Sequence, residues 1–154
     1  MKLKILSVGA KSPEWIQQGF DEYQKRLPRE MPLELVEISP GKHHKDPAKF
    51  KAEEGTKMLA ALTTQDWVVS LDERGKSVTS RALAGRLEQW REYGKDVVIV
   101  IGGSDGLDKT VLSRAQESLS LSALTFPHYL VRVIVAEALY RAWTITRNHP
   151  YHRA

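Results

Sequence analysis

The stretch that most limits the fold is "VVIVIGGSDGLDK", residues 97–109. Its apolar residues Val97, Val98, Ile99, Val100 and Ile101 show no alternation, so a strand made from them needs cover on both faces. They run straight into Gly102 and Gly103. Ser104, Asp105 and Gly106 then lead to what reads as the start of a helix. A buried strand that empties into a glycine turn is a common way for an α/β protein to hold a nucleotide.

The rest of the chain alternates strands and helices in support of that reading. Leu3, Ile5, Leu6 and Val8 mark a first strand, followed by Gly9. Ser12 is expected to cap a helix with Pro13 in its first turn, and Ile16, Phe20, Tyr23 and Leu27 recur at helical spacing until Pro28. "LELVEI" at 33–38 alternates like a strand with one wetter face, and Pro40 and Gly41 break it. Asp46 and Pro47 start a second helix that buries Phe50, Met58, Leu59 and Leu62. "WVVSL" at 67–71 is the third strand. A third helix from about Thr79 buries Leu83, Leu87 and Trp90, and Gly94 sits where a left-handed C-terminal cap belongs. After the glycine turn come a helix expected to end near Leu119, the segment "LSLSALTFPH" at 119–128, and a last helix over 129–146 that is apolar nearly all round. Glu137 and Arg141, four apart with the acid first, are its expected internal ion pair. With no repeat, low-complexity tract or linker, residues 1–154 read as a single α/β domain. Its mostly parallel sheet is covered by helices on both faces.

Composition narrows the function classes. No apolar run approaches the roughly 20 residues a membrane helix needs, and the N-terminus lacks a signal-type cleavage site. The absence of cysteine excludes disulfides and thiolate metal sites and suits a cytoplasmic location. A net charge of +4 is a mild excess, compatible with nucleic-acid binding but not diagnostic of it. His149 and His152 lie three apart without an acidic cluster beside them, so no metal site is expected.

The glycine turn fits neither common phosphate motif. A dinucleotide fingerprint needs G-x-G-x-x-G after the first strand, whereas these glycines are adjacent and follow the fourth. A P-loop needs a Lys followed by Ser or Thr at a spacing that Lys109 and Thr110 do not satisfy. A tight strand-to-helix turn with no ligand is the plain alternative. Two other turns, "SLDERGK" after the third strand and "SLSALTFPH" before the last helix, fall at the same edge of the sheet. Together the three would form a cleft rich in backbone polar groups and poor in charge, better suited to an adenosine than to a triphosphate.

"IGGSDG", "SLSALTFPHYLVRVIVAEALYRAW" and the tail "NHPYHR" resemble the SPOUT-class methyltransferases with a trefoil knot. More narrowly, they resemble the RlmH family, small bacterial enzymes that methylate ring nitrogen 3 of a pseudouridine in large-subunit ribosomal RNA. The resemblance implies a C-terminal knot, against the general rule that chains do not thread their own loops. It also implies S-adenosyl-L-methionine bent in the knot, rRNA within the assembled ribosome as substrate, and a homodimer whose sites draw on both chains. Carried over residue by residue, the cofactor site comprises Leu71, Gly102, Gly103, Ser122, Ala123, Leu124, Thr125, Phe126 and Pro127. Ser104 and Asp105 stand where the family often has Pro-Glu, and His43 and His44 occupy a loop usually richer in Arg or Asn.

Methyl transfer of this kind requires in-line approach and loss of the weakly acidic imide proton. The tail carries the catalytic candidates: Tyr151 to stack on a base, His152 to accept the proton, and Arg153 to hold a phosphate or carbonyl oxygen. A frayed, solvated end is the structural alternative. His128 either contacts substrate or packs at the start of the last helix. Arg132 is expected beside His128, Tyr151 and Arg153 among the substrate-binding residues; costly to bury alone, it must reach a carboxylate, the cofactor or a sister chain. A knotted methyltransferase with another RNA target, or a ribosome-binding factor without catalysis, are the rival functions.

Overall fold

In the computed structural model, which describes residues 1–9, 11–42 and 45–153, strands and helices alternate along the chain. Ala10, His43, His44 and Ala154 lie outside the described residues, and so does the expectation about the His43 and His44 loop. The strands are β1 (Leu3–Val8), β2 (Leu33–Ile38), β3 (Trp67–Ser77), β4 (Val97–Ile101) and β5 (Glu117–Ser120). They form one sheet in the order β2-β1-β4-β3-β5, with each neighbouring pair parallel.

Helix placement explains the unbroken apolar run of β4. Val97, Ile99 and Ile101 point to one face, where they join Leu3, Ile5 and Val69. Phe20 of α1 (Glu14–Gln24), Leu87 and Trp90 of α3 (Ser80–Tyr93), and Val135 and Leu139 of α5 (His128–Thr146) cover that face. Val98 and Val100 point to the other face beside Leu6, Val8 and Val68. There Met58 of α2 (Pro47–Ala60) and Val111 of α4 (Lys109–Arg114) complete the layer. Both faces of the sheet are therefore buried, as the sequence of β4 requires.

Local start and stop signals act as their chemistry dictates in most places. The Asp46 carboxylate accepts from the Ala48 and Lys49 amides with Pro47 at the first helical position, and Thr79 Oγ1 accepts from the Ala82 amide. Gly94 takes a left-handed φ of +66° at the end of α3. Ser12 departs from expectation. Pro13 occupies the cap position of α1, and the Ser12 hydroxyl is instead engaged by Arg132.

Two further differences lie near the cleft. The helix expected to reach Leu119 stops at Arg114, and residues 117–120 form β5. Glu117 fixes that strand by accepting from Trp67 Nε1 at 2.6 Å, Trp90 Nε1 at 2.8 Å and Arg86 Nε at 2.8 Å. These partners lie 27 to 50 residues away in sequence, so no local pattern announces the strand. The expected turn after Leu71 is also different: β3 continues to Ser77, and its register against β5 shifts so that Leu71 and Lys76 both face Leu119. Residues 72–75 bulge out of the ladder. A Cβ on Gly75 would stand 2.7 Å from the Leu119 carbonyl carbon, so only glycine lets the two strands approach this closely.

Candidate active site

The three segments singled out in the sequence meet where β3 bulges and at the carboxyl ends of β4 and β5. They line one cleft of about 580 Å³, within the roughly 300–1,000 Å³ typical of small-molecule sites. Leu71, Gly102, Gly103, Ser122, Leu124, Thr125, Phe126 and Pro127 all line it; Ala123 does not. Hydrogen bonds within the chain shape the 121–127 segment. Ser122 Oγ accepts from the Leu124 amide at 3.0 Å, and Ser120 Oγ donates to the Ser122 carbonyl at 3.3 Å. Leu124 is left 72% exposed at the mouth.

The glycines have separate tasks. A Cβ on Gly102 would stand 2.5 Å from the carbonyl carbon of Gly106 and 2.9 Å from the Leu107 amide nitrogen, so the turn can close on itself only with glycine there. The missing Cβ of Gly103 points instead toward Glu54 and Val8, neither of which lines the cleft. Gly103 bridges to Gly106, which has a φ of +81°.

The expectation of a cleft poor in charge is corrected. Lys51, Asp72, Glu73, Arg74 and Asp105 also line it; the turns that carry the last four were expected here, but their charges were given no part, and Lys51 was not expected. Asp72, Glu73 and Arg74 reach it because the bulge of β3 projects them over the turn, a consequence of strand register, and Asp105 belongs to the turn itself. Lys51 comes from α2. Asp72 accepts from the Arg74 amide at 2.9 Å, which curls the tip of the bulge.

His128 lines the cleft from the first turn of α5, and burial followed by the nearby Arg132 charge lowers its pKa from the ordinary histidine value. It is therefore neutral at pH 7 and can accept a proton or a hydrogen bond. Its ring lies 4.4 Å from that of Tyr129, whose other neighbour is the Arg132 guanidinium at 4.9 Å.

Arg132 does not line the cleft and is fully buried. Its Nε donates to Ser7 Oγ at 3.1 Å, one terminal nitrogen to Glu37 at 2.9 Å and to Ser12, and the other to the carbonyls of Val8 at 3.0 Å and Gly9 at 2.8 Å. Those contacts occupy all the donors a guanidinium has. The carboxylate that burial demanded is Glu37.

The tail packs along the C-terminal half of α5, from Glu137 to Thr144. Tyr151 donates its hydroxyl to Glu137 at 3.0 Å, sets its ring edge-on to Tyr140 at 4.6 Å, and lies 5.1 Å under the Arg141 guanidinium. Glu137 and Arg141 form the ion pair their spacing implies, at 2.6 Å. His152 Nδ1 lies 3.3 Å from Thr144 Oγ1, and Arg153 is exposed. None of these tail residues lines the cleft of its own chain. Thr144 follows His128 by sixteen positions, roughly 24 Å along a helix. Among the described residues no cluster of His, Asp or Glu is arranged to hold a metal ion, and no helix is long and apolar enough to cross a membrane.

Comparison with known proteins agrees with this architecture. The family described as predicted SPOUT methyltransferase matches residues 1–152. A protein of Hahella chejuensis named ribosomal RNA large subunit methyltransferase H is 49% identical, covering 99% of each chain. Its namesake in Chromohalobacter salexigens is 50% identical, covering 99% of this chain and all of the relative. A solved structure of a probable methylase family protein from Haemophilus influenzae shares the fold, with a TM-score of 0.59 at 14% identity over 99% of this chain and 70% of that one. Membership of the SPOUT family implies a trefoil knot in this fold. By its sequence from end to end, its parallel sheet and the cleft at the carboxyl ends of its strands, the chain belongs to the SPOUT methyltransferase family, beside the ribosomal RNA large subunit methyltransferase H proteins.

Proposed function

We propose that this protein transfers a methyl group from S-adenosyl-L-methionine to ring nitrogen 3 of a pseudouridine in large-subunit ribosomal RNA, acting in the cytoplasm on assembled ribosomes. The observation that carries the reading is the identity of about half, over nearly the full length of both chains, with relatives named for large-subunit rRNA methylation. The cleft supports the choice of cofactor. Its volume, its glycine backbone and the apolar Leu71, Leu124, Phe126 and Pro127 suit an adenosine, and Asp72, Glu73 and Asp105 suit the positive charges of an aminoacyl sulfonium. When bound, the cofactor supplies an electrophilic methyl group already activated by its sulfonium charge.

The chain's own residues then bind, orient and move the proton. The Gly102 turn and residues 121–127 hold the donor, and Leu124 at the mouth meets the incoming base. His128, neutral beside the cleft, contacts the substrate as a hydrogen-bond acceptor. Arg132 serves the substrate face by fixing the Tyr129 and His128 end of α5.

Tyr151, His152 and Arg153 complete the site across a homodimer, with His152 as the proton acceptor, Arg153 as the group that stabilises the imide anion or a phosphate, and Tyr151 as their anchor. Two observations favour sharing. The tail sits far along α5 from its own cleft, and Leu130, Val133, Ile134 and Ile145 of that helix are only partly covered in one chain. Light scattering should return twice the 17.4 kDa chain mass. The decisive assay incubates purified protein and S-adenosylmethionine with ribosomes from cells lacking the activity, then maps methylated nucleosides by mass spectrometry. A new methylpseudouridine in large-subunit rRNA is expected; cofactor binding without any rRNA methylation would overturn the proposal.

A further inference from the structure

Glu54, on the buried side of α2, is not needed by any step above. It is 2% exposed, and it sits between the loop after β2 and the cofactor turn. One carboxyl oxygen accepts from the Gly41 amide at 3.3 Å. The other, Oε1, is buried with no hydrogen-bond partner among the described residues. The turn lies against both oxygens: a Cβ built on Gly103 would stand 3.3 Å from Oε1 and 3.4 Å from Oε2. The following residue closes the same contact. A Cβ on Gly55 would meet Asp108 Cβ at 2.8 Å, and Asp108 caps α4 where the chain leaves the turn.

An unpartnered carboxyl oxygen in this position is unfavourable for stability alone, since an apolar side chain of the same size would fill the space without an orphaned polar atom. Burial pushes the Glu54 carboxyl above the ordinary range. The Gly41 amide and Lys57 pull against that, and Asp105 of the turn and Glu53 add to it.

We propose that Glu54 is a positioning residue for the cofactor-binding turn. It tethers the loop at Gly41 with one oxygen as acceptor and, as a carboxylic acid, donates from the other to a backbone carbonyl of the Gly102 and Gly103 turn as that turn settles on the cofactor. The inference rests on the cleft being the cofactor site. Its effect is on cofactor affinity, because Glu54 holds the turn from behind and does not itself line the cleft.

The test compares wild type, Glu54→Gln and Glu54→Met by calorimetry with S-adenosylmethionine and by steady-state methylation of ribosomes. Met fills the volume without polar atoms, whereas Gln keeps both an acceptor and a donor. A hydrogen bond of ordinary strength predicts cofactor affinity ~5-fold weaker for Met and within ~2-fold of wild type for Gln. Turnover at saturating cofactor and KM for ribosomes should stay unchanged in both. Wild-type affinity in the Met variant, or equal weakening in Met and Gln, would overturn the proposal. If the Met variant does not fold, Glu54→Asp withdraws the carboxyl by one methylene and must weaken the cofactor alone; wild-type affinity there would be equally fatal. No binding by the wild-type protein would instead defeat the cofactor reading of the cleft, and this inference with it.

Discussion

Replacing Arg132 by methionine removes a charge from the interior while keeping a side chain of similar length. Arg132 is fully buried, and its guanidinium serves the carbonyls of Val8 and Gly9, the hydroxyls of Ser7 and Ser12, and the carboxylate of Glu37. Glu37 is 31% exposed and can turn to water, so its loss is discounted. The carbonyls at the end of β1 have no such exit, because Gly9 is pressed against Tyr129, whose ring lies 2.9 Å from where a Cβ on Gly9 would be. Leaving the two buried carbonyls of Val8 and Gly9 unpaired costs about 1–3 kcal/mol each, and about 3–5 kcal/mol together is expected. In a chain of 154 residues that corresponds to a melting point lower by roughly 6–20 °C. Urea denaturation with an unchanged m-value would read it directly. Lysine in place of Arg132 should recover less than half, since one ammonium cannot span five acceptors. An unfolding free energy within about 0.5 kcal/mol of wild type for the Met variant would refute the accounting. The same variant removes the charge that helps depress His128, so an NMR titration should find that imidazole moved upward.

Gly102→Ala forces backbone against backbone at Gly106 and Leu107, and should weaken S-adenosylmethionine at least ~10-fold by calorimetry in a protein that still folds; unchanged affinity would place the cofactor elsewhere. Glu117→Gln should cost about 1–3 kcal/mol at neutral pH by orphaning Arg86. Burial alone would raise the Glu117 carboxyl, yet the bonds from Arg86, Trp90 and Trp67 hold it below the ordinary range. Its contribution is therefore present above that range and lost as pH falls through the depressed value, and the Gln variant should show a flatter acid limb in melts. Tyr151 is the opposite case: burial, with Tyr23 and Glu137, pushes its phenol up, so its contribution holds below the ordinary tyrosine pKa and is lost as pH rises through the raised one. Tyr151→Phe should unfold with about 0.5–1.5 kcal/mol less stability near neutrality and lack that alkaline loss. Deleting residues 151–154 should spare cofactor affinity but cut ribosome methylation at least ~100-fold; wild-type turnover would remove the tail from the active site.

What the sequence alone determined is what neighbours in the chain decide. The unbroken Val97, Val98, Ile99, Val100 and Ile101 run required a strand covered on both faces, and α1, α3 and α5 on one side with α2 and α4 on the other provide the cover. Asp46 with Pro47, Thr79 and Gly94 set helix ends because caps act over three or four residues. Within the 122–127 segment, Ser122, Leu124, Thr125, Phe126 and Pro127 were placed on the cleft through family resemblance, since a threaded path has no local signature; Ala123, expected with them, does not line it. The tertiary structure decided everything that depends on partners far along the chain. Glu117 makes a strand of four residues because two indoles and an arginine reach it from α3 and β3. Ser12 gave up a cap because Arg132, 120 residues on, needed an acceptor. The bulge of β3 put Asp72, Glu73 and Arg74 on the cleft, and α2 put Glu54 behind it. A buried polar group must be paired wherever a partner can be found, and only the folded chain determines which partners are near.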